Sequence, residues 1–449
     1  MLTKGTPWKV ILNFAWPILL SGLLQQLYNL ADLMIVGQLL GAQSVAAIGS
    51  TSSLVGFVLG FSQGITTGMG LIIARLFGAR AFKDVKRQFS ISCLICGVIA
   101  MILMVLSLVY VKQVLLLLGT PLAIFNDARD YILMIFAGIP ISMAFNLCAN
   151  MLRSVGNSRT PLVFLAIAVV INIVLNFVFI LAFGMGTMGS ALATVISQFA
   201  AAVLCGIHML KNEMMFRFKM PTKLKFKELA AQLTVGIPMG MQFSIIAIGA
   251  LLVQRALNGL GTTAIASSSV AAKVDQVAML PLSALGAALG TYIAQNYGSL
   301  QYKRILIGIK QTSWISLGIG LFLAVTIIGF SDLLTYLFVL RPSAGLLQLN
   351  RLYFRVVTPW YLLLSVLFIL RFTLQGLNYN LLPMIAGVVE LIMRMIAALL
   401  FVNYWGYLGI CLAEPLAWGG GLCTLLLWFP TAIRQIKRLV RIEEPGSAG

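Results

Sequence analysis

The run WPILLSGLLQQLYNLADLMIVGQLLG, residues 16–41, decides how the rest of the chain is read. About 20 mainly apolar residues cross the hydrocarbon of a bilayer, so the stretch predicts a membrane-spanning helix. Asp32 lies well inside it, where a carboxylate is costly and marks a candidate functional residue. Ser21, Gln25, Tyr28, Asn29 and Asp32 recur at three- and four-residue spacing, which places them on one helix face. A face of that kind looks into protein or water rather than lipid. Helix–helix hydrogen bonding explains Gln25 and Asn29 well. It explains an acid less well, because no Lys or Arg lies on the stretch to neutralise it. Asp32 is therefore read as a residue that binds and releases a small cation.

The composition carries this reading to the whole chain. Of 449 residues, 60% are hydrophobic and 10% charged, and the mean hydropathy is +1.00. A soluble core needs no such apolar content, so the fold class expected is an all-α polytopic membrane protein, with the lipid bilayer as its surroundings. The first apolar run leads directly into further spans with no small-residue cleavage site, and no secretory leader is expected. The net charge of +19 sits mostly in short loops between spans, where orientation explains it and a nucleic-acid partner does not. Of the six cysteines, Cys93 and Cys96 alone are closely spaced, and on a helix they read as packing thiols rather than a metal pair. His208 is the only histidine, which argues against a histidine-centred hydrolase or a zinc site. No enzyme activity, no cofactor and no metal beyond Na⁺ are expected.

Hydropathy gives twelve spans, near 12–38, 45–73, 89–111, 131–152, 161–183, 188–210, 229–254, 263–292, 306–329, 352–374, 382–403 and 407–431. With the N-terminus placed inside, and each charge at a span's end counted with the nearer loop, 23 of the 31 basic residues fall inside and 6 outside. Lys273 and Arg394 lie within spans. Both termini are therefore expected in the cytoplasm, with the chain in the inner (plasma) membrane. The basic segment 211–228 divides the chain into an N-terminal six-helix lobe, 1–215, and a C-terminal six-helix lobe, 216–449.

The halves resemble each other at an offset near 220. Pro17 matches Pro238, GAQSVAAIGS (41–50) matches GTTAIASSSV (261–270), and ARLFGARAFKDVKR (74–87) matches AQNYGSLQYKRILI (294–307). LRSVGNSRTP (152–161) matches LRFTLQGLNYNLLP (370–383), and GSALA (189–193) matches GICLA (409–413). Apolar helices resemble one another by composition alone, but matched loop residues at a steady offset do not follow from composition. Six spans per half is an even number, so the repeats are parallel, related by a pseudo-two-fold axis along the membrane normal. A substrate path between two lobes is the expectation.

Four acids fall inside spans: Asp32, Asp275, Glu390 and Glu414. Near Asp32 the sequence offers Asn146 and Asn150 one turn apart, Asn172 and Asn176 one turn apart, and Thr187, Ser190, Thr194 and Gln198 along one face. Carboxylate, amide and hydroxyl oxygens suit Na⁺, while a desolvated aspartate suits H⁺. Asn and Thr pairs also serve as packing contacts between membrane helices. In the second half, Glu390 and Arg394 are four apart and suit an internal ion pair. Asp275 and Gln276 are placed toward the cavity, structural pairing and transport standing as equal readings. Glu414, just before Pro415, reads as a kink or cap. The methionines, Met279 among them, are apolar filler or an adaptable cavity lining. Gln25, Tyr28, Asn29, Asn146, Ser190, Asp275, Gln276, Met279, Glu390 and Arg394 are the candidate substrate-cavity residues.

Pro17, Asp32, the 74–87 loop, NLCANMLRSVGNSRTP (146–161), NIVLNFVFI (172–180) and GMGTMGSALATVISQ (184–198) together resemble the multidrug and toxic compound extrusion (MATE) transporters. The resemblance covers nearly the whole chain. It implies a twelve-helix, two-lobe antiporter that exports cationic or amphipathic compounds in exchange for Na⁺ or H⁺. Asp32 resembles the first-helix aspartate of the bacterial branch with an N-lobe cation site, and Asn150, Asn172 and Thr194 the polar positions around it. Asn176 departs from the pattern, because some members carry an aspartate there. Members with a C-lobe site carry acids on the seventh and tenth helices, and this chain has none on either. The cation-coupling set is thus Asp32, Asn150, Asn172, Asn176 and Thr194, in a chain expected to act as a monomer on small-molecule substrates. The rival within the superfamily is a lipid-linked oligosaccharide flippase, for which Arg255, Lys273, Arg371 and Arg394 would hold a pyrophosphate. An intramembrane transferase is a second rival, and the lone His208 and the scarcity of acids argue against it.

Overall fold

Among the described residues sixteen α-helices follow one another, and no strand occurs. The structure is a computed structural model that describes residues 1–117, 119–212, 214–219, 223, 225–339 and 341–443. Parts of the 211–228 connection lie outside the described residues.

The first half holds α1 (Pro7–Leu40), α2 (Ala42–Gly78), α3 (Phe82–Leu117), α4 (Leu122–Ala137), α5 (Ile139–Ser154), α6 (Arg159–Phe177) and α7 (Gly186–Asn212). The second holds α8 (Phe226–Asn258), α9 (Thr262–Gly298), α10 (Tyr302–Gly329), α11 (Ser331–Phe338), α12 (Ala344–Val357), α13 (Tyr361–Gly376), α14 (Leu381–Ile396), α15 (Val402–Trp405) and α16 (Tyr407–Glu443). Among the described residues eleven stretches of helix are long and apolar enough to cross a membrane, and the α4–α5 pair, bent by 47°, makes a twelfth if it is one span. The bend falls at Gly138, just before Pro140, whose ring removes a helix hydrogen bond. The predicted span near 131–152 is therefore two helices. On α3, Val98, Met101, Ile102, Val105, Leu106 and Val109 form an exposed apolar stripe, the surface that hydrocarbon requires.

The repeat extends to the backbone. Helices α2 and α9 each run 37 residues. Positive φ recurs at Gly41 and Gly261, at Arg80 and Leu300, and at Gly156 and Asn378. A π-turn follows α6 at Val178–Ala182, and another follows α14 at Ala397–Phe401.

Two compact units result, one of Leu20–Ser244 and one of Met1–Leu19 with Ile245–Gly449. Their boundaries fall inside α1 and α8 rather than in a loop. The first unit has an apolar core that includes Ile65, Met69, Ile91, Phe136 and Met151. The core of the second includes Leu282, Tyr292, Phe354, Tyr361 and Leu374. Within the first unit α2 and α8 meet backbone to backbone: a Cβ on Gly64 would stand 2.4 Å from the Met239 carbonyl oxygen and 2.6 Å from Gly240 Cα.

Candidate cation site

Asp32 is buried in α1. Its Oδ1 accepts two hydrogen bonds, from Asn176 Nδ2 at 2.8 Å and from Ser190 Oγ at 2.9 Å. Asn176 Nδ2 also donates to Asn172 Oδ1, one turn back on α6, at 3.0 Å. Asn172 Nδ2 reaches Thr194 Oγ1 on α7 at 3.3 Å. Three helices thus meet in one polar cluster. What lets α6 and α7 close on it is the connection between them, where Gly184 and Gly186 take φ of 62° and 58°, a region that L side chains rarely adopt. The π-turn begins two residues after Asn176, and such turns re-aim nearby side chains.

The cluster offers one carboxylate, two amide oxygens and two hydroxyls. No Lys or Arg pairs with Asp32 among the described residues, and the buried Oδ1 of Asn176 has no hydrogen-bond donor there. An uncompensated carboxylate and an orphan amide oxygen form an all-oxygen donor set that fits a hard monovalent cation or a proton. Among the described residues no group of three His, Cys, Asp or Glu could hold a metal ion.

The predicted residues separate in space. Asp32, Asn172, Asn176 and Thr194 come together, and Ser190, read as a cavity residue, joins them by bonding Asp32 directly. Its place one turn before Thr194 on the same α7 face was the available signal. Asn150 stands apart, donating to Thr66 Oγ1 at 3.1 Å on α2. Asn146 is half-buried on α5. Along the polar face read on α1, Ser21, Tyr28 and Asp32 are buried, while Gln25 and Asn29 are exposed and bonded to each other at 3.5 Å. All five lie on one arc of the helix, and the exposed pair marks its edge.

In the second unit the expected Glu390–Arg394 pair is replaced by two cross-helix pairs. Glu390 binds Arg371 of α13, both deeply buried. Arg394 forms a bidentate pair with Glu414 of α16 at 3.0 and 2.9 Å. Four-residue spacing permits an internal pair, but neighbouring helices here present counter-charges to each partner. Glu414 is thus an ion-pair member rather than a cap, and Arg371, counted with a cytoplasmic loop, is inside the helix bundle. Asp275 is buried as well, its two oxygens accepting from the Tyr353 hydroxyl at 2.6 Å and the Tyr361 hydroxyl. Gln276 is exposed and Met279 half-buried.

The repeat aligns these sites. Asn172 and Arg394 each lie 13 residues past the starts of α6 and α14, at Arg159 and Leu381. Thr194 and Glu414 directly follow the matched GSALA and GICLA. An amide–hydroxyl contact in one unit is an ion pair in the other. Tyr28 and Gly249 each lie 11 residues past the matched Pro17 and Pro238. A Cβ at Gly249 would come within 3.0 Å of Arg394 Cδ, so the missing side chain makes room for the guanidinium. Val253 holds the place of Asp32.

The MatE family model matches residues 17–178 and again 238–400. The chain belongs to the MatE family. The double match has the repeat offset read from the sequence, since its two starts are the matched Pro17 and Pro238. Among curated relatives, the probable multidrug resistance protein YpnP of Bacillus subtilis is 27% identical over 428 residues, covering 95% of this chain and 96% of that protein. The multidrug export protein MepA of Staphylococcus aureus is 25% identical over 299 residues, 66% of each chain. A MATE crystal structure in the bent conformation has a TM-score of 0.88 at 21% identity, covering 98% of both chains. An outward-facing MATE transporter matches with a TM-score of 0.87 over the same share. These likenesses set this multi-pass MatE protein beside relatives that are named multidrug resistance and multidrug export proteins.

Proposed function

We propose that this MatE protein is a secondary active antiporter that exports cationic or amphipathic compounds in exchange for Na⁺ or H⁺ by alternating access. The observation that carries the reading is the buried Asp32 carboxylate, which has amide and hydroxyl partners but no basic one among the described residues. A cation on Asp32 favours one conformation and bound substrate favours the other; coupling needs no more than that difference in preference. The protein works as a monomer in the inner membrane with both termini cytoplasmic, its cation chemistry in the N-terminal half. Its role is transport rather than catalysis, with no cofactor beyond the coupling ion. Pyrophosphate binding by a flippase is disfavoured, because Arg371 and Arg394 are already neutralised by Glu390 and Glu414.

The test is substrate transport in proteoliposomes under separate Na⁺ and H⁺ gradients, wild type beside Asp32→Asn. One gradient drives the wild type, and the variant binds substrate without responding to that gradient. Equal transport by the variant would remove Asp32 from the mechanism.

A further inference from the structure

Four arginines hold oxygen acceptors supplied by the chain itself. Arg87 binds Glu228 and the Lys223 carbonyl. Arg304 binds Asn296 and the Gly5 carbonyl. Arg371 binds Glu390, and Arg394 binds Glu414. Arg153, in the last turn of α5, differs from all of them. Its side chain is half-buried, its Nε is buried without a hydrogen-bond partner, and no acid pairs with it among the described residues. The ionisable side chain beside it is the buried thiol of Cys205 on α7, which is ordinarily neutral. A capping arginine binds the last carbonyls of its helix. Here the turn satisfies those carbonyls itself: Gly156 N–H bonds to Arg153 O and Asn157 N–H to Leu152 O, both at 2.9 Å.

The repeat shows what this arginine lacks. Arg153 matches Arg371, each following the leucine that opens the paired segments 152–161 and 370–383. Glu390, the partner of Arg371, lies nine residues past the start of α14, and the residue nine past the start of α6 is Ala168. Ala168 is 3% exposed. One half of the chain carries its own counter-ion, and the other has a methyl group in that place. A guanidinium partly withdrawn from water and left unpaired is costly.

We propose that Arg153 holds a phosphate group from outside the chain, which supplies the negative charge that Glu390 supplies to Arg371. The planar guanidinium matches two phosphate oxygens at once. Arg153 ends a membrane-spanning helix, at the depth of the headgroups, where phosphate oxygens are the abundant anions. A lipid phosphodiester and free inorganic phosphate present the same chemistry, and the experiment separates them.

The measurement is the melting temperature of full-length protein in detergent. One arm titrates phosphatidylglycerol into the micelles, with diacylglycerol, which has no phosphate, as its control. The other titrates inorganic phosphate against chloride at equal ionic strength. Wild type is stabilised in at least one arm: the first alone identifies a lipid headgroup, the second alone a free anion, and both mean that either source fills the site. Arg153→Gln raises the half-maximal concentration about tenfold. Arg153→Met keeps the stem, drops the charge and loses the response, while melting no lower than wild type without added anion. Arg159→Gln, at the exposed start of α6, keeps the wild-type response. The proposal is overturned if neither arm stabilises wild type, if both Arg153 variants respond as wild type does, or if Arg159→Gln weakens the response as much as Arg153→Gln. The last result would mean attraction to surface charge in general.

Discussion

Asn176 donates its amide to Asp32 at 2.8 Å from a position 144 residues further along the chain. In the antiport reading, a neutral donor in that place leaves a single carboxylate to hold the cation. Asn176→Asp sets a second acid against the first, and two adjacent carboxylates do not both stay ionised, so the pair retains a proton. If Na⁺ drives the wild type, the variant is expected to lose that response; if H⁺ drives it, the variant is expected to keep it. Asn176→Ala removes one charge-assisted bond and is expected to weaken cation-dependent transport about tenfold. Proteoliposome flux under each gradient separates the outcomes.

The ion pairs of the second unit differ in depth, and their removal should differ accordingly. Arg371 and Glu390 have side chains only 6% and 4% exposed, whereas Glu414 is 29% exposed. Breaking a buried pair by removing one partner costs about 3–5 kcal/mol. Glu390→Gln is therefore expected to lower stability in detergent more than Glu414→Gln, where solvent screens the loss. Double-mutant cycles on melting temperature should couple 371 with 390 and 394 with 414. Stronger coupling between 390 and 394 would restore the internal pair expected from spacing.

Gly64 and Gly56 lie on the same helix and predict opposite outcomes. Alanine at 64 drives a methyl group into the Met239–Gly240 backbone, while at Gly56 nothing lies within 4 Å. Overpacking typically costs about 1–3 kcal/mol, and backbone cannot yield as a side chain can. Gly64→Ala should lose thermal stability. Gly56→Ala should be neutral or gain up to about 1 kcal/mol from helix propensity.

Outside the spans, Asp332 accepts a bidentate pair from Arg351, and that hydrogen bond holds its carboxyl below the usual carboxylate range. A depressed folded-state value means that the stabilisation is present above the ordinary aspartate value, about 3.9. It is lost as pH falls through the folded value. Both side chains are largely exposed, so the effect is small and weakened by salt. Asp332→Asn should lower the melting temperature slightly at neutral pH in low salt. The difference from wild type should vanish in strong acid.

The twelve spans and the repeat were legible because they rest on composition, on the helix prolines Pro17 and Pro238 and on connection residues such as Gly41 and Gly261, which carry their meaning locally. Partner choice was not. Periodicity places Glu390 and Arg394 on one face but says nothing of which helix packs there, and α13 and α16 supply the actual partners. Asn150 and Asn172 are equivalent as sequence, each in an amide pair one turn apart. Their separation follows from packing, one against Thr66 and the other against Thr194. Ser190 shows the reverse case, a residue on a recognised face whose bond to Asp32 only the fold supplies.

The cross-helix pairs also have an electrical consequence. Arg371 with Glu390, and Arg394 with Glu414, carry no net charge, so helices bearing them shift through the transmembrane field without electrical work. Asp32 has no such companion: in the antiport reading its site is neutral when loaded and negative when empty. A full charge crossing the field is worth about 2.3 kcal/mol per 100 mV. Membrane voltage therefore acts on the return of the empty Asp32 site, and the paired charges of the other unit are blind to it.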